Sequence, residues 1–298
     1  MLKIIEKKKI WFSISIIIML IGLGFAIVRG MNFGIDFVGG TKVVLSLNEG
    51  YDKEEVDSIT KKYADDVVTN TSNDTEYEIR SSSLDSQGVN DLVDELKEKY
   101  SLGDDILVSQ DEIGASVGNE LKRNAVTSLA IAFVAMLIYI AIRFEWSFGF
   151  AALIALFHDI FITTSFYVIF DVQINTPFIA AILTLVGYSI NDTIVVFDRI
   201  RENRKKLRGK TEAEIANISI TETLTRSINT SLTTLITISA VGVFVPAVRD
   251  FAVPLMVGIA SGTCSSIFIA SPIWVMIKNG QDKKKKNGKS KEKIATAN

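Results

Sequence analysis

Residues 177–197 read PFIAAILTLVGYSINDTIVVF, 21 positions with one charged side chain, Asp192. As a helix rising ~1.5 Å per residue, such a run crosses a ~30 Å hydrocarbon core. Its apolar residues are continuous rather than striped, which separates it from the amphipathic helix of a soluble domain. Asn191, Asp192 and Thr193 interrupt it, with Asp192 ~8 Å inside the end marked by Phe197. An ionisable group at bilayer depth costs ~2.5–3.5 kcal/mol on insertion scales, so its presence there points to function.

Five more stretches have this length and character: 10–28, 125–142, 148–170, 228–248 and 251–277. Only helices and closed barrels satisfy every backbone polar group in lipid, and alternating strands of ~10 residues are absent. The expected fold class is therefore an α-helical polytopic membrane protein with six transmembrane helices. The first stretch follows Lys7, Lys8 and Lys9, as a signal peptide would. Its apolar core is longer than the ~7–15 residues of a cleavable signal, and no small-x-small site follows, so it is expected to stay as a membrane helix. The chain has one cysteine, Cys264, which excludes a disulfide framework and a Cys-based metal site.

Lys and Arg in short segments set the orientation. They crowd the N-terminal tail 1–9, the segment between the fourth and fifth helices (Arg199 to Lys210), and the tail 278–298. With six spans all three fall on one side, expected to be the cytoplasm; Lys122, Arg123 and Arg249 are exceptions. The basic tail reads as a solvated, topology-setting segment, and contact with anionic membrane lipid or ribosomal RNA is the lesser reading.

Residues 29–121 then lie outside the cell, between the first helix and the remaining five at 122–277. They carry 21 acidic and 8 basic side chains, a net of −13 against −2 for the whole chain. That charge argues against nucleic acid or anionic lipid as a ligand of this domain. Strand patterns cover 41–47, 67–71, 76–82 and 106–113, and helix patterns cover 52–63 and 85–100. Asp52 is the expected N-cap, with Glu55 at the capping-box position, and Asn73-Asp74 supplies a turn. The order β-α-β-β-α-β is the split-βαβ, ferredoxin-like motif. No nucleophile–base pair, metal set or cofactor motif appears, so no enzymatic activity and no cofactor are expected.

The ionisable residues at membrane depth are few. His158 and Asp159 lie near the middle of the third helix, Asp192 in the fourth, and Arg226 where the fifth begins, from about Thr225. If the fourth and fifth helices are neighbours, Arg226 reaches the level of Asp192. A carboxylate titrating beside an arginine of fixed charge is a workable proton site; a static ion pair fixing helix register is the alternative. His158 and Asp159 read either as a proton relay or as polar packing, and so do Asn191 and Thr193. Gly258 and Gly262 form a GxxxG step for close helix packing, and Pro254 and Pro272 are candidate kinks in the sixth helix.

At residues 34–41 the run Gly-Ile-Asp-Phe-Val-Gly-Gly-Thr, directly after the first membrane helix, resembles the signature of the SecD/SecF family. Its signature positions are Gly34, Asp36, Gly39 and Gly40. The stretches GASVGNEL at 114–121, RFEW at 143–146 and GYSINDTIVVFDRIREN at 187–203 are similar to the SecF branch. The resemblance spans roughly residues 7–277 and implies half of an RND-type helix bundle. It further implies a bacterial inner-membrane subunit that pairs with SecD and assists the SecYEG translocon. The pair would use the proton-motive force to promote export of unfolded preprotein. The family's proton-path aspartate and arginine match Asp192 and Arg226 by motif, and a third participant, an aspartate, lies on SecD. Proton or sodium remains open as the coupling ion. Two other classes also stay open: half of an RND-like exporter of lipid or small molecules, and a non-transporting membrane scaffold.

Overall fold

The computed structural model describes residues 2–47, 51–72, 75–245 and 248–281. The expected Asn73-Asp74 turn and the lysines beyond Lys278 lie outside these residues. Among the described residues, six helices are long and apolar enough to cross a membrane. They are α1 (Lys8–Arg29), α5 (Ala115–Arg143), α6 (Trp146–Ile169), α7 (Thr176–Lys206), α8 (Glu212–Phe244) and α9 (Arg249–Ser265). The last runs on through a π-helical turn, Ser266–Ala270, to Gln281. Pro272 explains the wide turn: it has no N–H for the carbonyl four residues back, and its ring would clash there. Pro254 lies within α9.

Between α1 and α5 sits a four-stranded antiparallel sheet. Its strands are β1 (Gly40–Ser46), β2 (Val68–Ser72), β3 (Glu76–Ser81) and β4 (Leu107–Ile113), in the order β2-β3-β1-β4. A short helix α2 (Ile35–Val38) precedes it, and α3 (Lys53–Thr60) and α4 (Ser86–Tyr100) cover one face. Alternation fixes which face that is. Val43, Leu45, Tyr77 and Ile79 point into a core with Val56, Ile59, Val89, Leu92 and Leu96. This is the β-α-β-β-α-β arrangement the pattern implied. Asp52 caps α3 through the Glu54 and Glu55 amides, but the capping box is only half made. The Glu55 carboxylate turns instead to Lys99 and to the Tyr100 hydroxyl, 2.6 and 2.7 Å away, where α4 supplies donors.

Three membrane helices are longer than hydropathy indicates, the second of the six beginning at Ala115 rather than near 125. The fourth continues past Phe197 to Lys206, and the fifth begins at Glu212, not near Thr225. Hydropathy marks where lipid ends, not where the helix ends. The basic extension of α7 stays helical through Arg199–Glu202 and Lys206–Glu202 pairs along its own face. The start of α8 has a full capping box between Thr211 and Glu214. The two extensions pair through Arg199–Glu222, at 2.6 Å, and Asn203–Ser219, at 3.0 Å. The N-terminal segment is not a loose tail either: the amides of Ile4 and Ile5 donate to Asn217 Oδ1 on α8.

Helices α6, α7 and α9 form the centre of the bundle, whereas α1, α5 and α8 leave most of their apolar side chains exposed. One end of the centre is packed by Phe148 against Trp274 and Phe197, with ring centroids 5.0 and 4.9 Å apart. The opposite end carries the sheet domain, and the segment 34–40 docks it there. The Gly34 amide donates to the Ile174 carbonyl, and Asp36 Oδ2 accepts from the Thr176 amide at the start of α7, at 2.8 Å. Asp36 thus caps a helix about 140 residues away. Gly39 and Gly40 have φ of +86° and +142°, and a side chain on Gly40 would run into the Ser81 carbonyl.

Candidate functional site

Asp192 lies on α7 facing α8 and α9, and is 8% exposed. Ser227 on α8 donates to its Oδ1 and Ser266 on α9 to its Oδ2, both at 2.7 Å. Hydroxyls suit this position in either protonation state of the carboxylate, because each can donate or accept.

Arg226 does not form the ion pair anticipated from its level. Consecutive helical residues diverge by ~100°, so with Ser227 aimed at Asp192, Arg226 projects to the flank of the bundle. Among the described residues it has no ion pair. The two side chains still share a space: a cavity of about 50 Å³ lined by Tyr188, Asn191, Asp192, Arg226 and Thr230. Tyr188 closes one side by donating to the Thr230 carbonyl across α7 and α8. Asn191 is exposed and also lines a larger groove of about 530 Å³ between α5 and α7, with Ala132, Ala135, Tyr139 and Gly187. Thr193 is buried and donates to the Ser189 carbonyl of its own helix, which is a packing arrangement.

Asp159 on α6 is fully buried. Ser261 donates to its Oδ1 at 2.8 Å, and Ser189 and Ser265 donate to its Oδ2 at 2.6 and 2.7 Å. His158 Nδ1 lies 3.0 Å from Oδ1, and its Nε2 lies 2.8 Å from Ser15 Oγ on α1. An ionised carboxylate only accepts, so a neutral His158 carries its hydrogen on Nδ1 and accepts from Ser15 at Nε2.

Both carboxylates are therefore organised by serines, which no charge marks in the sequence. A signal is present in the spacing. Gly258, Gly262 and Ser266 recur every four residues on one face of α9, and Ser261 and Ser265 on the next. In the structure the first row meets Leu185, Ser189 and Asp192 of α7, and the second meets Asp159 of α6. The glycines let the backbones approach closely enough for the serines to reach.

Comparisons with known proteins agree with this architecture. The translocase subunit SecF of Sebaldella termitidis is 39% identical, over 98% of this chain and 99% of the relative. The SecDF of Bacillus subtilis is 36% identical over 94% of this chain, which matches 38% of that longer polypeptide. The crystal structure of SecDF from Thermus thermophilus, a translocon-associated membrane protein, superposes with a TM-score of 0.79 at 34% identity. It covers 93% of this chain and 39% of that one. The SecD/SecF GG motif family matches residues 24–49, which include the docking segment with Gly39 and Gly40. The family described as protein export membrane protein SecD/SecF, C-terminal, matches residues 93–280. This chain belongs to the SecD/SecF family of protein-export membrane proteins.

Proposed function

We propose that the chain is an accessory subunit of the Sec protein translocase. With SecD it uses the proton-motive force to promote movement of unfolded preprotein through the SecYEG channel. The observation that carries this reading is that Asp192 and Arg226, without an ion pair between them, line one small cavity at the flank of the bundle. The carboxylate is buried among neutral hydroxyls, where a proton can bind and leave, and the arginine supplies a fixed charge beside it.

The site is incomplete in this chain alone, which fits a two-subunit device. Arg226 and Asn191 are polar, exposed and at bilayer depth, and Asn191 opens onto the α5–α7 groove, where Ala132, Ala135 and Gly187 leave room between larger apolar side chains. A partner helix seated there shields them from lipid and brings its own acidic group to Arg226. The SecDF relatives, in which this chain matches about two-fifths of one longer polypeptide, support SecD as that partner.

The orientation follows from charge: both termini and the α7–α8 extension face the cytoplasm of a bacterial cell, and the sheet domain faces outward. Proton binding at Asp192 removes the charge that faces Arg226 and turns one of its serine contacts from donor to acceptor, and so biases the packing of α8, which carries Ser227 and Arg226, against α7 and α9. The sheet domain rides on the outer ends of these helices and restrains the emerging preprotein. One charge moved through 100 mV supplies ~2.3 kcal/mol, enough to bias a two-state element about fifty-fold. The test is export of a secreted reporter into vesicles with and without a proton gradient. Wild type should respond to the gradient after ATP is removed, and Asp192→Asn should not; a gradient response in that variant rejects the assignment. A gradient of sodium alone in place of protons identifies the coupling ion.

A further inference from the structure

We infer that Asp159 is a positioning residue for the proton site: it holds α9 in the register that presents Ser266 to Asp192. The inference rests on the reading of Asp192 above. The two carboxylates do not touch, and Asp159 sits on a different helix. What joins them is α9, where adjacent residues face different carboxylates. Ser265 donates to Asp159 and Ser266 to Asp192, each at 2.7 Å.

The geometry around Asp159 is that of an anchor. Four donors from four residues fill both oxygens, and those donors come from three different helices: Ser189 from α7, His158 from α6 itself, and Ser261 with Ser265 from α9. The pair on α9 is four residues apart, so the two hydroxyls are stacked on one face and fix both the height and the rotation of the helix. A shift of one residue would carry both serines ~100° around and leave a fully buried carboxylate short of two of its four donors, which is unfavourable. Ser189 ties the same carboxylate to α7 one turn before Asp192. Gly262 packs directly on Ser189, and a side chain there would lie 3.1 Å from its Cβ. Asp159 therefore sets α7 and α9 against each other at the level next to the one where Asp192 needs Ser266.

His158 extends the anchor to α1 through Ser15. This contact lies at the foot of an apolar groove of about 240 Å³ between α1, α6 and α9, where the single cysteine, Cys264, sits beside Ile14, Ile18 and Phe268. Cys264 precedes Ser265, so its position reports the rotation of α9.

The experiment uses the chain assembled with SecD, in membranes. Three variants, Asp159→Asn, Asp159→Ala and Ser265→Ala, are compared with Asp192→Asn. The first readout is the gradient-dependent part of export, normalised to assembled complex and to ATP-driven export in the same vesicles. Asp159→Ala should lose about tenfold of it, and Asp159→Asn, which keeps an acceptor oxygen for the serines, should retain most of it. If Asp159→Asn is as inactive as Asp192→Asn, Asp159 carries the proton itself and the positioning role is wrong. The second readout is oxidative cross-linking of native Cys264 to a cysteine introduced at Ile18. It should fall in Asp159→Ala and Ser265→Ala and be unchanged in Asp192→Asn. Cross-linking that survives loss of Asp159 overturns the inference, even if Asp192 proves not to bind the coupling ion. Conversely, a gradient response in Asp192→Asn with cross-linking still lost in Asp159→Ala rejects the proton assignment and keeps the anchor. Ser265→Ala leaves Asp159 in place and gives the same test if Asp159→Ala does not assemble.

Discussion

Arg80 on strand β3 and Asp250 in the first turn of α9 form an ion pair, with Nη1 and Oδ2 2.8 Å apart. Asn175, just before α7, donates to the same oxygen at 2.7 Å. One carboxylate thus joins the sheet domain to the two helices that carry Asp192 and its Ser266 partner. Arg80 is braced from the other side by Glu78, 2.5 Å away.

This link makes Arg80→Ala informative. The pair is partly exposed, so its removal should destabilise the protein by only about 1 kcal/mol. Its effect on coupling should be larger. Hydrogen exchange at the Gly34 and Ile174 amides, which mark the docked domain, should speed up severalfold, and gradient-dependent export should fall. Unchanged exchange and unchanged export in Arg80→Ala would show that motion reaches the sheet domain by another route.

At the proposed proton site, Asp192→Asn should leave assembly with SecD intact, since asparagine keeps an acceptor for the serines that hold this position, whereas Arg226→Ala removes the charge offered to the partner's acid and should weaken co-purification modestly. Both should abolish the gradient-dependent fraction of export. Arg226→Lys should fall between wild type and the alanine variant, because the charge stays while the planar fork is lost. Co-purification with SecD, measured beside export, separates a coupling defect from a folding one.

Helix packing gives a stability prediction. A Cβ at Gly258 would sit 2.6 Å from Leu185 Cδ2, and one at Gly262 would sit 3.1 Å from Ser189 Cβ. Gly258→Leu and Gly262→Leu should each overpack the α7–α9 contact and destabilise by about 1–3 kcal/mol. Thermal melting in detergent reads this directly. Gly187→Ala, where a Cβ meets nothing within 4 Å, should melt like wild type, yet weaken association with SecD if the α5–α7 groove receives a partner helix.

The sheet domain should respond to acid through Asp66. Burial pushes its carboxyl up, but the Ser81, Ser82 and Ser83 hydroxyls and the Ser82 amide all donate to it, and the net result is well below the usual carboxylate range. A depressed folded-state value means this stabilisation is present above the unfolded value of ~3.9 and lost as pH falls through the folded one. Solvent reaches this exposed carboxylate and screens the effect, so Asp66→Asn should lower stability by about 1 kcal/mol or less at neutral pH and narrow the gap to wild type in strong acid. Protease sensitivity of residues 29–121 in the full chain, followed against pH, measures both.

Much of the architecture is legible in the residue pattern. Six long apolar runs, one acidic insertion after the first, and alternation within that insertion correspond to six long helices and the β-α-β-β-α-β sheet domain. Run length against lipid thickness and side-chain period are local properties, carried by neighbouring residues. The ends of α7 and α8 are not legible in this way, because the same hydropathy that locates lipid is silent about helix outside it. There, ion pairs such as Arg199–Glu202 and the Thr211–Glu214 cap sustain the helix.

Asp192, Arg226, Asp159 and His158 stand out in the sequence because ionisable groups are rare at membrane depth. Their partners do not. Serine is common in membrane helices, and which serine meets which carboxylate depends on how far α9 slides and turns against α6 and α7. Only the packed bundle decides that: the Gly258 and Gly262 contacts bring α9 close, and the rotation that follows sends Ser265 to Asp159 and Ser266 to Asp192, while the rotation of α8 that aims Ser227 at Asp192 leaves Arg226 on the open flank. The sequence alone determined which groups carry charge inside the membrane. The tertiary structure decided what each one faces, because register between helices distant in the chain is set by long-range packing that no local pattern encodes.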